Sequence, residues 1–248
     1  MMTEHAYAQK DLRKGVRETM NNGNFSIVYG VVALLSVLLS VAYLLFDKKK
    51  NRLFLALFGC VAISNSGYFL LSVSGTLMMA KFANSVSYFG GAFSLLVMLL
   101  IIYEVCNMKK RRWATWLAVG ISFTAFALAA SGDGLGLFYR SLALGKANGM
   151  TYLIKEYGPL HTWYAVYLAG YVLTMVVVIA YAAKTKRLRS PKYTAFLFVA
   201  VLLNVGVWLV EQTIVEEFEF LSVSYIISEL FLLGVPGQLA VLLWSRMY

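Results

Sequence analysis

Seven long apolar stretches, separated by short polar connections, account for most of this 248-residue chain. None of them alternates between apolar and polar residues with a period of two, as the strands of a membrane β-barrel do. A helix that crosses a bilayer needs about 20 apolar residues, and each stretch is long enough to span. The pattern therefore predicts an all-α membrane protein with a bundle of seven transmembrane helices. The stretches are approximately Phe25–Phe46, Leu53–Val73, Phe82–Asn107, Trp113–Ala130, Leu160–Ala183, Tyr193–Thr213 and Leu221–Trp244.

The composition supports this interpretation and excludes several classes of protein. Hydrophobic residues make up 60% of the chain and charged residues 14%, whereas soluble domains have about 45–50% and about 25%. Cys60 and Cys106 both fall inside apolar stretches, so we expect no extracellular disulfide framework. With two histidines in the chain, we expect no histidine-based metal site and no cofactor. The net charge of +10 indicates membrane topology, and a nucleic-acid partner is not expected.

The distribution of Lys and Arg predicts the orientation in the membrane. Of the 22 basic residues, 14 lie in three connections or near the C-terminus, and the other eight are spread over longer segments of the opposite side. Because basic loops remain in the cytoplasm, we expect the N-terminus outside and the C-terminus inside. The basic positions that determine this orientation lie in Asp47–Arg52, Lys109–Arg112 and Lys184–Lys192, together with Arg246.

Two segments outside the apolar stretches have a predicted structure or position. Residues 1–24 lack the apolar core of a cleavable signal peptide, so we expect an extracellular N-terminal tail. The loop of residues 131–158 contains two β-prone runs on either side of Asn148-Gly149. Asn-Gly between such runs is typical of a β-hairpin, which we expect at the outer mouth of the bundle. An irregular loop is the alternative.

The first three stretches resemble the last three at an offset of 137 to 139 residues. This similarity predicts a 3+1+3 arrangement, with a first repeat at about 25–107, a linker helix at 113–130 and a second repeat at about 160–244. Since one helix separates the repeats, they are expected to be parallel. The matching segments are Val41–Tyr43 with Ile179–Tyr181, Asn65–Leu70 with Asn204–Leu209, and Ser85–Tyr88 with Ser222–Tyr225.

Sugar transporters, retinal proteins and seven-helix receptors share such a plan, and particular residues distinguish them. The seventh stretch contains no lysine for a retinal Schiff base. Of the three prolines, only Pro236 lies inside a stretch, so the repeatedly broken helices of many transporters are missing. A Ser–His pair or a His-Glu-x-x-His motif at membrane depth is also missing, and we expect no enzymatic activity.

Polar and aromatic residues recur at helical spacing within the stretches, and most fall in the outer half of the membrane. Their convergence predicts an outward-open cavity for a small ligand. We expect Asn65, Tyr88, Asn204, Trp208 and Glu229 to line one contiguous pocket. The full set of candidate ligand-binding residues is Asn65, Tyr68, Tyr88, His161, Tyr164, Asn204, Trp208, Glu211, Tyr225 and Glu229.

Glu229 is the most informative of these residues. It lies eight residues into the seventh stretch, where an unpaired carboxylate facing lipid would cost several kcal/mol. It must therefore face the interior of the bundle. Three roles remain open: a neutral carboxyl that joins helices through Tyr88 or Asn65, a ligand contact, or a proton relay. Glu211 and His161 are each either interfacial residues or ligand contacts.

Four short motifs are Gly67–Leu70, Val86–Gly91, Tyr157–Tyr164 and Val223–Leu230. They resemble the N-terminal seven-transmembrane region of bacterial histidine kinases, and the similarity extends from about Phe25 to the end of the chain. The resemblance implies a receptor in the bacterial inner membrane, followed in that family by a kinase, cyclic-nucleotide or DNA-binding output domain. It implies no catalytic residue and no defined ligand.

The sequence thus predicts a membrane sensor that binds an extracellular small molecule or peptide and signals to a cytoplasmic partner of the kinase or cyclase type. The chain ends at Tyr248, so it is either the sensor part of a longer protein or a receptor that signals through a partner. A homodimer is a possible assembly. A small-solute transporter, which would accumulate solute in proteoliposomes, and a structural membrane subunit are the alternatives.

The predicted topology can be tested by the accessibility of introduced cysteines. Because basic connections stay in the cytoplasm, cysteines at Lys49 and Lys186 should react with a membrane-impermeant reagent only after the membrane is opened. A cysteine at Lys146 should react in intact cells and serves as the control. Labelling of Lys49 and Lys186 in intact cells would show that the orientation is inverted.

Overall fold

The computed structural model describes residues 25–46, 51–187, 191–213 and 220–234. This part of the chain forms seven helices and one β-hairpin. The expected tail of residues 1–24 and the part of the seventh stretch that contains Pro236 lie outside the described residues. The elements are α1 (Phe25–Phe46), α2 (Arg52–Ser72), α3 (Leu77–Val105), α4 (Arg112–Ala130), β1 (Tyr139–Ala147), β2 (Met150–Tyr157), α5 (His161–Lys184), α6 (Pro191–Thr213) and α7 (Leu221–Gly234).

Five of these helices, α1 to α5, are long and apolar enough to cross a membrane. Within the described residues, the apolar segments of α6 and α7 are shorter and cover Phe198–Glu211 and Leu221–Leu230. A helix rises about 1.5 Å per residue, so these two segments alone do not reach across a hydrocarbon core of about 30 Å. The described residues therefore contain five helices of membrane-spanning length, and the presence of seven spans stays a prediction.

Polar residues at the helix ends explain where α2 and α3 begin. Asn51 accepts the N–H of Leu53 with its side-chain oxygen at 2.9 Å and thereby caps α2. Thr76 is extended and accepts the N–H of Met79 at 3.3 Å. Because of this cap, α3 begins at Leu77, five residues before the start predicted from the apolar stretch, and includes Lys81.

Two ion pairs fasten the ends of α3. The Lys81 ammonium lies 2.5 Å from the Asp133 carboxylate in the loop after α4, and its hydrogen bond lowers the pKa of that carboxyl below the usual value. At the other end, Glu104 pairs with Lys110 at 3.6 Å and accepts a hydrogen bond from the Asn51 amide at 2.8 Å. Glu104 thus pairs with a lysine of the basic segment that follows α3.

Helices α2 and α3 form the closest contact in the bundle, and small residues make it possible. A Cβ atom on Gly67 would lie 2.4 Å from the backbone nitrogen of Ser87. A Cβ atom on Gly90 would lie 2.3 Å from the carbonyl oxygen of Cys60. Glycines permit such backbone-to-backbone approach between membrane helices. Hence α2 and α3 form a rigid pair, and α3 also contacts α4, α5 and α6.

The two predicted repeats differ in packing at one equivalent position. Gly206 in α6 corresponds to Gly67 in the sequence alignment, yet a Cβ atom there would meet no described atom within 4 Å. The close approach between α2 and α3 therefore has no counterpart at this position of α6. The parallel 3+1+3 repeat stays a prediction.

The hairpin of β1 and β2 caps one end of the bundle. Asn148 and Gly149 have φ angles of 52° and 71°, the left-handed values that a tight two-residue turn requires. The Asn148 carbonyl accepts the N–H of Phe25 at 3.3 Å, and the Thr151 hydroxyl donates to the Ser74 carbonyl at 2.9 Å. The hairpin thus rests on the start of α1 and on the connection between α2 and α3. Its extracellular location stays a prediction.

The glycine contact between α2 and α3 yields a stability prediction. Gly67→Ala should lower the free energy of unfolding by about 1–3 kcal/mol, because the new methyl group collides with the backbone of α3. Gly59→Ala on the same helix is the control, since a Cβ atom there meets no described atom within 4 Å. Unfolding of both variants in mixed detergent micelles measures the difference. Equal stability of the two variants would contradict the close packing.

Candidate ligand-binding site

A cavity of about 60 Å³ lies between α2, α3, α5, α6 and α7. This volume accommodates a few water molecules or one compact ligand. Aliphatic and aromatic side chains together form most of the wall, as in typical small-ligand sites. The polar and aromatic residues of the wall are Ser94, Tyr164, Asn204, Trp208, Tyr225, Ser228 and Glu229.

Glu229 presents a buried carboxyl group to this cavity. Its side chain is 1% exposed, and neither carboxyl oxygen has a hydrogen-bond partner among the described residues. The Ser36 hydroxyl of α1 interacts with this carboxyl, but outside the geometry of a hydrogen bond. Glu229 therefore faces the interior of the bundle. A group of this kind is costly to bury without a partner, which makes it the strongest indication of a binding site.

Asn204 joins α6 to α7 with both ends of its amide. Its side-chain oxygen accepts a hydrogen bond from the Ser224 hydroxyl at 2.7 Å. Its amide nitrogen donates to the Ser228 hydroxyl at 2.8 Å and to the Ala200 carbonyl at 2.9 Å. Residues four apart lie on one face of a helix, so a single amide bonds two successive turns of α7. These bonds couple the movements of the two helices.

Asn65 lies next to the cavity without forming part of its wall. The side chain is completely buried in α2 and donates to the Ser36 hydroxyl at 2.6 Å. Its side-chain oxygen has no partner among the described residues. Ser36 thus lies between Asn65 and Glu229. Ser36 is not among the ten predicted site residues, although a polar residue in the middle of the most apolar helix could have indicated it.

An aromatic roof, formed by Tyr88, Phe138, Tyr139, Tyr157 and His161, connects the hairpin to the bundle. The hydroxyl of Tyr139 donates to that of Tyr88 at 3.0 Å. The ring of His161 stacks on Tyr157 with centroids 3.8 Å apart. Phe138 packs edge-on against both Tyr88 and His161, with centroids 5.7 and 5.2 Å apart. The roof therefore joins β1 and β2 to α3 and α5.

Tyr164 belongs both to the cavity wall and to the surroundings of the roof. Its ring lies 5.4 Å from that of Tyr88 and 5.9 Å from that of Trp208, between centroids. A Cβ atom on Gly91 would lie 3.2 Å from the Tyr225 hydroxyl and 4.0 Å from the Tyr164 hydroxyl. Because Gly91 has no side chain, both hydroxyl groups reach the same part of α3. Tyr164 is the structural link between the hairpin and the cavity.

Two predicted site residues have other positions. Tyr68 stacks on Tyr29 of α1, with centroids 6.3 Å apart, and does not line the cavity. Glu211 accepts the N–H of Leu221, the first residue of α7, at 2.6 Å. A carboxylate at this place satisfies an otherwise unpaired N–H group and interacts favourably with the helix dipole. The carboxylate of Glu211 acts as a cap for α7 in this structure.

The ten candidates therefore divide into two groups, and the expected contiguous pocket is split. The cavity contains Tyr164, Asn204, Trp208, Tyr225 and Glu229, whereas Asn65, Tyr68, Tyr88, His161 and Glu211 lie around it or at the helix ends. Asn65 and Tyr88 were expected on the same wall as Glu229. The crossing of α2 and α3 instead directs Asn65 towards α1 and Tyr88 into the roof. Ligand binding by any of the ten stays a prediction.

A second polar network, not identified from the sequence, joins α3, α4 and α5. Ser122 lies 3.2 Å from the Tyr167 hydroxyl and 2.7 Å from the Tyr171 hydroxyl. Those tyrosines donate in turn to the carbonyls of Ala92 and Ala118, at 2.8 and 2.9 Å. These hydroxyl groups are fully engaged within the bundle. The network therefore serves packing between helices.

An open groove of about 1280 Å³ lies between α4 and α5. Its walls are mostly apolar, and no acidic side chain is among the described residues that line it. Trp113, Trp116 and Trp163 are strongly exposed along this groove. The smaller cavity is the candidate site, because it contains the buried carboxyl and half of the predicted residues.

One family model matches the chain over residues 28–235, and its description is the N-terminal 7TM region of histidine kinase. The match covers most of the chain and agrees with the resemblance seen in the short motifs. A search of curated proteins finds no matching relative.

The cap on α7 can be separated from a ligand contact by two substitutions at Glu211. Glu211→Ala should lower the free energy of unfolding by about 0.5–2 kcal/mol, because it removes the acceptor for the first N–H of α7. Glu211→Gln keeps an acceptor oxygen and should cost clearly less. Hydrogen exchange of the Leu221 amide reports the same difference locally. A greater loss with Gln than with Ala would contradict the capping role.

Proposed function

Since the chain belongs to the family of N-terminal seven-transmembrane regions of histidine kinases, we propose that it is a sensor whose ligand binds in the Glu229 cavity. The observation that supports this proposal most strongly is the buried carboxyl of Glu229, whose two oxygens lack partners among the described residues. A small molecule from the outer side would supply the missing partner. The sensor would lie in a bacterial inner membrane with seven spans, the N-terminus outside and the C-terminus in the cytoplasm.

The arrangement of helices around the cavity suggests how binding would be transmitted. One side of the cavity belongs to α2 and α3, which are held together by their glycine contacts. The opposite side belongs to α6 and α7, which are joined through Asn204. A ligand between these two pairs would move α6 and α7 together relative to α2, α3 and α5, the other helices of the cavity wall. Shifts of about 1–2 Å between packed helices are sufficient to change a protein from one signalling state to another.

The hairpin is proposed to cover the entrance to the cavity. It contacts Tyr164 through Phe138, with ring centroids 6.0 Å apart, and Tyr164 lines the cavity. A ligand that displaces Tyr164 would therefore disturb the aromatic roof. In this proposal the hairpin is the extracellular part of the receptor, and a cytoplasmic kinase or cyclase domain or protein receives the signal. Two copies of the chain would form a homodimer if that partner is itself dimeric.

Occupation of the cavity can be imitated by a larger side chain on its wall. Ser94 is buried and lines the cavity, so Ser94→Leu should fill it and move α6 by about 1–2 Å relative to α5. Spin labels on cysteines at Ala183 and Ala195, with Cys60 and Cys106 replaced, report this distance. Ala127→Leu on the exposed face of α4 is the control. Identical distance distributions in both variants would contradict transmission from the cavity.

A further inference from the structure

A buried polar cluster, formed by Ser36, Asn65 and Glu229, lies where α1, α2 and α7 meet. The three side chains are 0%, 0% and 1% exposed. The hydrogen bond from the Asn65 amide to the Ser36 hydroxyl, at 2.6 Å, joins the first two. Three oxygen atoms remain without a hydrogen-bond partner among the described residues: one on the Asn65 amide and two on the Glu229 carboxyl.

All three unpartnered atoms are hydrogen-bond acceptors, and this determines what they can bind. A proton on Glu229 would add one donor and would leave further acceptors unpartnered. Among the described residues of α1, α2 and α7, the basic side chains are limited to Arg52. Arg52 lies 13 residues before Asn65, roughly 20 Å away along α2. The described residues of these three helices therefore provide the cluster with an excess of acceptors and no nearby cation.

The cavity that Glu229 lines is also suited to a positive charge. The rings of Tyr164, Trp208 and Tyr225 line it, and the faces of aromatic rings attract cations. Its volume of about 60 Å³ restricts the occupant to a compact group. Oxygen atoms are the ligands of hard metal cations, and they accept the N–H groups of an ammonium ion equally well. Both kinds of occupant have a single positive charge in a small volume.

We infer that Glu229 binds a compact monovalent cation, either a sodium ion or a small ammonium group, where its cavity adjoins the buried pair of Ser36 and Asn65, and that these two side chains supply further oxygen atoms. The inference rests on the proposed function, because it names the class of ligand that the sensor cavity takes. The bound cation neutralises the carboxylate and connects α7 to α1 and α2. It therefore stabilises the position of α7 that the proposed sensor would transmit.

Thermal unfolding of the purified chain in lipid nanodiscs tests this inference. Sodium, ammonium or methylammonium chloride is varied, and choline chloride, a bulky cation without N–H groups, keeps the ionic strength constant. A cation that binds the native protein raises Tm in proportion to the logarithm of its concentration once that exceeds Kd, by about 5–10 °C at 100 times its Kd. A response to sodium alone identifies a metal-ion site, whereas a response to the two ammonium ions alone identifies an ammonium site.

Variants identify the place of binding. Glu229→Gln keeps the shape of the side chain but removes its charge, and it should abolish the rise in Tm. Ser36→Ala keeps the packing of α1 and should weaken the apparent affinity about tenfold, as expected for the loss of one bond to a charged group. Glu104→Gln is the control, because it also removes a carboxylate but at the C-terminal end of α3, where Glu104 pairs with Lys110 and does not line the cavity. This variant should leave the rise in Tm unchanged. If Glu229→Gln fails to fold, the comparison of Ser36→Ala with the control remains decisive.

Two results would overturn the inference: no rise in Tm with any of the three compact cations, or an unchanged cation response when Glu229 or Ser36 is replaced. The spin labels at Ala183 and Ala195 separate this outcome from failure of the sensor proposal. A rise in Tm without any change in their distance supports the cation site and contradicts transmission. A change in distance in Ser94→Leu without a cation effect supports transmission and contradicts the cation site.

Discussion

The interior of a membrane contains no water to complete unfinished hydrogen bonds, so each polar group at that depth depends on the protein for its partners. The network of Ser122, Tyr167 and Tyr171 illustrates how the chain meets this constraint, since its hydroxyl groups bond to one another and to backbone carbonyls. Asn204 meets it through two serines of α7. Against this background, Glu229 and Asn65 require a functional explanation, because their side-chain oxygens lack partners among the described residues.

The position of these oxygen atoms, which lack partners among the described residues, matters as much as their chemistry. Ser36, Asn65 and Glu229 lie on three different helices, and the adjoining cavity borders the tightly packed α2 and α3 as well as α6 and α7. A partner for the carboxyl would therefore act on the contact between two units of the bundle. In the proposed sensor, the same atoms that recognise the ligand also set the position of α7. The same side chains would then both recognise the ligand and transmit the signal.

Much of the architecture follows from the sequence because long apolar stretches have few alternatives in a membrane. The start of α1, the end of α4 and the left-handed turn at Asn148-Gly149 are present where the pattern predicts them. The start of α3 differed because Lys81 was assigned to a connection. Thr76 caps the helix earlier, and the Lys81 ammonium reaches Asp133 from within α3.

The candidate site was harder to predict, since its geometry depends on how helices cross. Helical spacing selected Asn204, Trp208, Tyr225 and Glu229, and all four line the same cavity. The repeat suggested that Asn65 and Asn204 occupy equivalent places, yet Asn65 turns to α1 and Asn204 to α7. Sequence similarity between the repeats predicts which residues share a face of a helix. It does not predict which neighbouring helix that face contacts. The role of Ser36 becomes visible only once α1 lies against Asn65.

The central claim is that Glu229 interacts with Ser36 across the contact between α1 and α7. A double-mutant cycle on the free energy of unfolding tests it directly, with Ser36→Ala, Glu229→Leu and the combined variant. The account predicts that the effects of the two substitutions differ from additivity by at least about 0.5 kcal/mol, as for side chains that share one polar network. Additive effects, equal within about 0.3 kcal/mol, would show that the two side chains are independent and would contradict the account.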